Sequence, residues 1–401
     1  MLKKKRILNK ISQELIEQTN NKIYSIFYTL NWQIKMEDHN TRKDIRKRQV
    51  TLINAYPLGT GIGEYVRDLM KINSIEVISL IFNQNTMKNF SYPGVIKIGR
   101  FPHFQNKFDF LLNAYFQRLS FSRVFKSLND RTLKQNIVHY ADPSISPATN
   151  FDLSLVTIHD TIFFDKTLAG GGPFNLRFRY VIKNLKIYKQ FENIITISNK
   201  VKKELTDLGW NNSISVVPYP VSESFKFLNA KKEMRSKLGL PQDKILILSV
   251  SNDVPRKNLK TVDKTMKLLD HRFKLIRVGT KLGQSITFDY IDNQEKMNMI
   301  YNASDVLLFP SLDEGFGRPL VEAMATGLPV VASNIDVLKE MGKDAPLFVE
   351  PTPEECKRGI LEVLADSVKY SKNGIEQSRR FSFQTFENRM EQVYRNMIKN
   401  S

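Results

Sequence analysis

Two consecutive doubly wound α/β units are the architecture this sequence predicts. Short apolar runs alternate with longer helical patterns from Val50 onward. The runs are continuous rather than alternating, as strands covered by helices on both faces are. The series breaks once, at PYPVSESF (218–225), where two prolines and little periodicity separate it from a second series. At 401 residues, with 41% hydrophobic, 10% aromatic and 25% charged residues, the chain has a globular composition and the length for two domains.

Residues 1–49 come first and stand apart. They carry twelve basic residues against five acidic ones, and only Ile7, Leu8, Ile11, Leu15 and Ile16 repeat at helical spacing. They read as an appended basic arm, either laid on a membrane as an amphipathic helix or packed on the body. The first unit, residues 50–220, opens with VTLINA (50–55), a glycine-rich turn and the helical EYVRDLMK (64–71). Its further strands are IEVISLIF (75–82), VIKIG (95–99), NIVHY (136–140), LSLVTIH (153–159), NIITIS (193–198) and ISVVPY (214–219). Helical patterns fall at His103 to Leu128, Phe174 to Phe191 and Asn199 to Leu208. The second unit, residues 221–384, has strands KILILSV (244–250), KLIRVG (274–279), VLLFP (306–310), PVVAS (329–333) and LFVE (347–350), with helices near 258–269 and 293–303 and from 319. A last helix, from about Thr385 to Lys399, is expected to pack back across the first unit. In such sheets the ligand crevices lie at the carboxyl ends of the strands.

Charge and cysteine content narrow the function. A net charge of +19 predicts a surface that meets phosphate, on a nucleotide, a nucleic acid or an anionic membrane. The single cysteine, Cys356, excludes an intramolecular disulfide and a cysteine metal cluster and predicts a reducing, cytoplasmic setting. No run approaches a transmembrane span, the best being the interrupted stretch Ile23 to Trp32. The basic start Lys3, Lys4, Lys5 and Arg6 leads into a polar helical pattern, unlike a cleavable leader.

The most informative stretch is PSLDEGFGRPLVEAMATGLPVVAS, Pro310 to Ser333. A strand ends at Phe309, a turn holds Gly315 and Gly317, and Pro319 takes the first helical position. This predicts a helix N-terminus opened by glycines, its free N–H groups facing whatever lies beyond the strand tips. Glu314 before the turn and Glu322, read as lying in the first helical turn, bracket the loop, so each can meet a different part of one ligand. The ordinary structural reading of Glu322 is an acidic residue complementing the helix dipole. SNDVPRKNL (251–259), GTGIGEY (59–65) and the HD pair His159-Asp160 all sit at strand ends, where the crevice is expected.

Together these segments resemble the family-4 retaining glycosyltransferases of the GT-B fold, over most of residues 50–400. The resemblance lies in the E-x7-E pattern of Glu314 and Glu322, the glycine loop, the HD pair, the ITIS and VVPYPV segments, PRKNL and the PVVAS strand. It implies two Rossmann-like domains facing a central cleft, an acceptor domain over 50–220 and a donor domain over 221–384. It implies that Glu314 lies against the transferred sugar, that N–H groups around Gly315, Phe316, Gly317, Arg318, Pro319 and Leu320 hold sugar and phosphate, and that Glu322 accepts hydrogen bonds from ribose hydroxyls. Lys257 and Arg256 are implied to neutralise the departing diphosphate. The family often has Gly followed by Arg where Ser251 and Asn252 stand here, so one phosphate contact is expected to be weaker or to be supplied by Arg256 or Arg318. Gly61, Ile62 and Gly63 are implied to border donor phosphate and acceptor. His159 is implied to contact the sugar or reaction centre, with Asp160 orienting it or shaping the acceptor side.

No Asp-x-Asp occurs, and the five histidines are scattered, so a metal-independent reaction with a nucleotide-sugar co-substrate and no cofactor is expected. The expected partners are a nucleotide-diphosphate sugar, a glycan or lipid-linked acceptor and the inner face of an anionic membrane. Docking there would use the aromatic and basic stretches His103 to Leu128 and PFNLRFRYVIKNLKIYKQF (173–191), whose ordinary reading is core packing of amphipathic helices. The loop Gly170, Gly171, Gly172 reads as a candidate lid. A catalytically silent subunit of the same fold and a basic nucleic-acid-binding protein remain alternatives, although no nucleic-acid module is recognisable.

Overall fold

The computed structural model describes residues 48–54, 61–72, 75–81, 95–97, 137–143, 153–162, 186–289, 291 and 293–399. The basic arm, the stretch His103 to Leu128, the glycines 170–172 and most of 173–191 lie outside these residues. The chain divides into units Met1–Arg48 and Gln49–Ser401, and both sheets belong to the second.

The first sheet holds β1 (Arg48–Asn54), β2 (Ile75–Ile81), β3 (Val95–Lys97), β4 (Ile137–Tyr140), β5 (Ser154–Ile158), β6 (Asn193–Thr196) and β7 (Ser213–Val216), in the order β3-β2-β1-β4-β5-β6-β7. β1 pairs in parallel with β4 (Leu52 opposite His139), and the same sense continues through β5, β6 and β7. The apolar runs are continuous because both faces are covered: every residue of β4 and β5 is buried. The second sheet holds β8 (Ile245–Ser251), β9 (Phe273–Gly279), β10 (Ile286–Phe288), β11 (Val306–Phe309), β12 (Val330–Ser333) and β13 (Leu347–Val349), in the order β10-β9-β8-β11-β12-β13, again parallel. Strand order reverses between β1 and β4 and between β8 and β11, the two places where a crevice opens at the carboxyl ends.

The helices are α1 (Gly61–Met70), α2 (Asn199–Asp207), α3 (Lys231–Leu238), α4 (Leu259–Leu268), α5 (Gln294–Ala303), α6 (Arg318–Ala325), α7 (Asp336–Gly342), α8 (Pro353–Ala365), α9 (Ser367–Ser378) and α10 (Phe383–Lys399). Side-chain caps start several of them. Ser198 accepts from the Val201 N–H on α2, Asn293 from the Lys296 N–H on α5, and Thr352 from the Glu355 N–H on α8. Strand β10 and helices α3, α7, α8 and α9 extend the sequence-based expectation. α9 buries only Gly374 and Ser378, so it has no apolar stripe to read. It docks by close approach, since a Cβ at Gly374 would lie 3.3 Å from Met324 Cα on α6.

Helix α10 returns to the first sheet and buries Phe386, Met390, Tyr394 and Met397. Its Tyr394 hydroxyl meets His139 Nδ1 at 2.8 Å, while His139 Nε2 lies 2.8 Å from the Thr157 hydroxyl, itself 2.9 Å from the Tyr65 hydroxyl. Residues 217–230 carry the chain from the first sheet to the second and residues 379–382 carry it back. The two crossings touch where the Val221 N–H donates to the Phe381 carbonyl at 2.7 Å. None of the described helices is long and apolar enough to cross a membrane.

Candidate active site

The loop 310–317 between β11 and α6 is shaped by its glycines. Gly317, the α6 N-cap, sits at φ +92°, where a Cβ would lie 2.6 Å from Leu338 Cδ2. Gly315 passes so close to the end of β5 that a Cβ would come within 2.3 Å of the His159 carbonyl oxygen. The Ser198 hydroxyl donates to the Gly315 carbonyl at 2.8 Å, so the cap of α2 also anchors this loop. Two corrections follow for α6. It begins at Arg318, so Pro319 is its second residue and Glu322 falls in the second turn, beyond the reach of a dipole-complementing role. Leu320 is fully buried and its N–H bonds the Gly317 carbonyl at 3.0 Å, while proline has no N–H. Free donors in the loop are therefore to be sought at Gly315 to Arg318 and not at Pro319 or Leu320. The Phe316 ring is core, edge-on to Tyr219 and Phe381 at 5.0 and 5.7 Å.

Glu314, only 5% exposed, holds two cations: Lys257 Nζ lies 2.5 Å from Oε1 and Arg256 Nη1 2.9 Å from Oε2. Both cations come from the 3-10 turn Pro255–Lys257 after β8, and the Leu312 N–H donates to the Arg256 carbonyl at 2.7 Å, tying that turn to the loop. Burial alone would raise the Glu314 carboxyl, but Lys257 and Arg256 outweigh it and hold the group below the usual carboxylate value. Burial lowers the Lys257 ammonium, with Glu314 pulling the other way. Asp313 beside it pairs with Lys200 of α2 at 2.5 Å. Further along, Glu340 of α7 caps the N-terminus of α2, accepting from the Asn199 and Lys200 N–H groups at 2.8 and 3.2 Å.

His159 ends β5 with both ring nitrogens engaged. Nε2 donates to the Ala141 carbonyl at 2.6 Å, which leaves Nδ1 to accept from the Tyr219 hydroxyl. Burial pushes its pKa down to about 4, so the ring is neutral at physiological pH. Ala141 and Tyr219 therefore orient His159, and Asp160 does not. Asp160 is half-buried, its carboxyl raised by desolvation against the pull of Arg256, and its buried Oδ1 has no hydrogen-bond partner among the described residues.

A cavity of about 580 Å3 opens at the carboxyl ends of β8 and β9. Apolar walls come from Phe225, Val250, Val278, Ile291 and Met297, and polar ones from Ser251, Asn252, Glu64, Arg318 and Glu322. The Tyr301 hydroxyl donates to Glu322 Oε2 at 2.8 Å, and Arg318 Nε lies 3.7 Å from Oε1. Arg318 also donates to the Gly61 carbonyl at 3.0 Å and lies over the Tyr219 ring. Gly61 is thereby brought to the cavity, but as the first residue of α1, so Gly61, Ile62 and Gly63 belong to a helical turn rather than to a loop ahead of it. Gln294 donates to Glu64 at 2.9 Å, a second link between α1 and the second sheet.

Sequence reasoning missed Arg277. This β9 residue is fully buried, and its guanidinium donates to the Ser249 and Ser251 carbonyls at 3.0 and 2.6 Å and to the Thr280 carbonyl at 3.2 Å. A basic residue inside an otherwise apolar strand run was the available signal. Among the described residues no group of three or more His, Cys, Asp or Glu side chains is placed to hold a metal ion.

Known proteins share this geometry. Residues 230–381, the span of the second sheet and its helices, match the family model described as Glycosyl transferases group 1. The O-antigen chain mannosyltransferase B of Escherichia coli is 25% identical over 375 residues, covering 82% of this chain and 94% of that protein. Sucrose-phosphate synthase from Thermosynechococcus elongatus superposes with a TM-score of 0.71 at 20% identity, over 88% of this chain and 100% of that one. HepE of Anabaena, solved in complex with UDP and glucose, gives 0.67 at 14% identity over 87% and 100%. With its two parallel sheets, the chain is a glycosyltransferase of the GT-B fold, and its residues 230–381 carry the match to the glycosyl transferases group 1 model.

Proposed function

We propose that this protein moves a hexose from a nucleoside diphosphate donor to a hydroxyl of a glycan acceptor, with retention and without a metal ion, the donor lying against the second sheet and the acceptor against the first. The cavity at the ends of β8 and β9 carries the reading. Its apolar wall suits a nucleobase, Glu322 suits ribose hydroxyls, and the loop that leads into Arg318 at the start of α6 supplies Glu314 four residues earlier. The similarity to a mannosyltransferase makes GDP-mannose the first donor to test.

In such a transfer the bond from the anomeric carbon to the donor phosphate oxygen breaks while the acceptor hydroxyl bonds that carbon on the same face. The hydroxyl proton passes to the departing phosphate oxygen. Lys257 and Arg256, which pair with Glu314, would take up the charge that grows on the diphosphate, helped by N–H groups between Gly315 and Arg318. Glu314, kept ionised by those cations, accepts hydrogen bonds from sugar hydroxyls. His159 is a neutral wall of the reaction centre rather than its base. The unpaired Oδ1 of Asp160 is available to accept from an acceptor hydroxyl. The net charge of +19 supports an acceptor presented at an anionic membrane, where the protein would dock peripherally on the cytoplasmic side.

The test is turnover of GDP-mannose, UDP-glucose and ADP-glucose with lipid-linked oligosaccharide acceptors, with and without EDTA, and product linkage by NMR. Transfer from one donor that is insensitive to EDTA and keeps the donor's anomeric configuration is expected. An inverted linkage overturns retention, loss in EDTA overturns metal independence, and binding of a donor without turnover on any acceptor identifies a silent subunit.

A further inference from the structure

The cations of the candidate site are mostly committed. Arg256 and Lys257 are bound to Glu314, and Arg318 stands 3.7 Å from Glu322. The described lining of the cavity holds Glu64, Asp289 and Glu322 against Arg318, so it is poor in positive charge for a site that must hold two phosphates. Arg277 is different. Its hydrogen-bond partners are the carbonyls of Ser249, Ser251 and Thr280 and the hydroxyls of Ser249 and Ser251, and among the described residues no carboxylate pairs with it directly, Asp253 acting on it only through space.

The backbone is built to bring this charge to the cavity wall. Ser251 and Gly279 lie opposite each other at the ends of β8 and β9, and a Cβ at Gly279 would come within 2.2 Å of the Ser251 carbonyl oxygen. Gly279 takes φ +111°, after which the Thr280 carbonyl turns back onto Arg277 Nε. Ser251, Asn252, Gly279 and Thr280 all line the cavity, and the guanidinium lies directly behind Ser251 and Thr280. A buried guanidinium facing neutral acceptors projects its charge through a medium that screens poorly.

We propose that Arg277 is a positioning residue for the donor's phosphates: it fixes the Ser251–Asn252 turn and Thr280 from behind and supplies the positive potential that draws the diphosphate to that wall. The inference rests on the cavity being the donor site. Burial lowers the Arg277 pKa to about 10, which leaves it charged at physiological pH.

The experiment is calorimetric titration of wild type, Arg277→Gln and Arg277→Lys with UDP, GDP and ADP, with the three parent nucleosides and with inorganic pyrophosphate, at two salt concentrations, after thermal melts establish folding. Arg277→Gln is expected to weaken diphosphate binding about tenfold or more, to leave nucleoside binding within about threefold, and to flatten the salt dependence. Arg277→Lys, which keeps the charge, is expected to recover most of the loss. Equal losses for nucleoside and nucleoside diphosphate, or an Arg277→Lys variant no better than Arg277→Gln, make Arg277 a merely structural brace and overturn the proposal. If Arg277→Gln does not fold, Arg277→Lys decides alone, since a charge role predicts diphosphate affinity near wild type. A wild type that binds none of the three diphosphates overturns the donor site and this inference with it, whereas a wild type that binds and an Arg277→Gln that matches it overturns the inference only.

Discussion

Glu314, Arg256 and Lys257 are one electrostatic unit, because Glu314 pairs with both cations and its removal leaves two like charges side by side in a largely buried site. Lys257→Ala and Glu314→Ala are each expected to lower kcat/KM by about a hundredfold or more, read as initial rates with the preferred donor; full activity in both would remove the site from this loop. The histidines offer a second check. His139 and His159, with pKa values pushed down by burial to about 3 and about 4, should show no NMR titration between pH 8 and 5. Midpoints near 6.5 would mean that the rings are exposed. Glu314, Glu322 and Lys257 were legible because the glycines, the prolines and the strand ends around them are written locally. Arg277 was not, because an arginine in a strand reads as a surface charge until Ser249 and Ser251 of the neighbouring strand are seen to receive it. The engagement of both His159 nitrogens was equally hidden, since Ala141 and Tyr219 are distant in sequence.

At the scale of elements, the close approach of the loop 310–317 to the end of β5 makes a sharp demand. Gly315→Ala would drive a methyl into the His159 carbonyl, and is expected to destabilise the fold by about 1–3 kcal/mol through displacement of the loop. Urea melts with unchanged m-value would measure it, and a neutral result would mean that the loop stands further away. Tyr394→Phe strips His139 Nδ1 of its partner inside the core and is expected to cost about 1–3 kcal/mol in the same measurement. The strands were the most legible elements, because continuous runs such as LSLVTIH survive as buried strands. The helices α3 and α9 were least so, since each carries few buried apolar side chains and owes its place to packing partners.

At the scale of the whole molecule, ligand and proton linkage give two readouts of the same fold. A nucleotide sugar at a hundred times its Kd should add about 2.7 kcal/mol of stability, and Glu322→Ala should abolish the gain for that donor. Acid should act through the buried histidines. In the unfolded chain they take up protons near pH 6.5, but in the fold only near 3 and 4, so their contribution is complete above about pH 6.5 and is lost as pH falls toward 4. Each accounts for up to about 1.4 kcal/mol per pH unit in that window. Thermal melts from pH 7 to 4.5 should fall accordingly, and the His139→Gln variant should show a shallower slope.

The chain passes between the sheets twice, and the Val221–Phe381 hydrogen bond fastens the two passages side by side. Two fastened segments restrict relative motion to rotation about their common line, in the manner of a door on a pin. Across that line lie contacts of another kind: Glu340 at the start of α2, Lys200 with Asp313, Arg318 with Gly61, and Gln294 with Glu64. They are polar and separable, and admission of a bulky acceptor can break them while the pin holds, provided the seat of Gly315 against Ser198 and His159 parts with them. Amide exchange would then divide the cleft in time, with the Asn199 and Lys200 N–H groups exchanging at each swing and the Val221 N–H persisting until the protein unfolds.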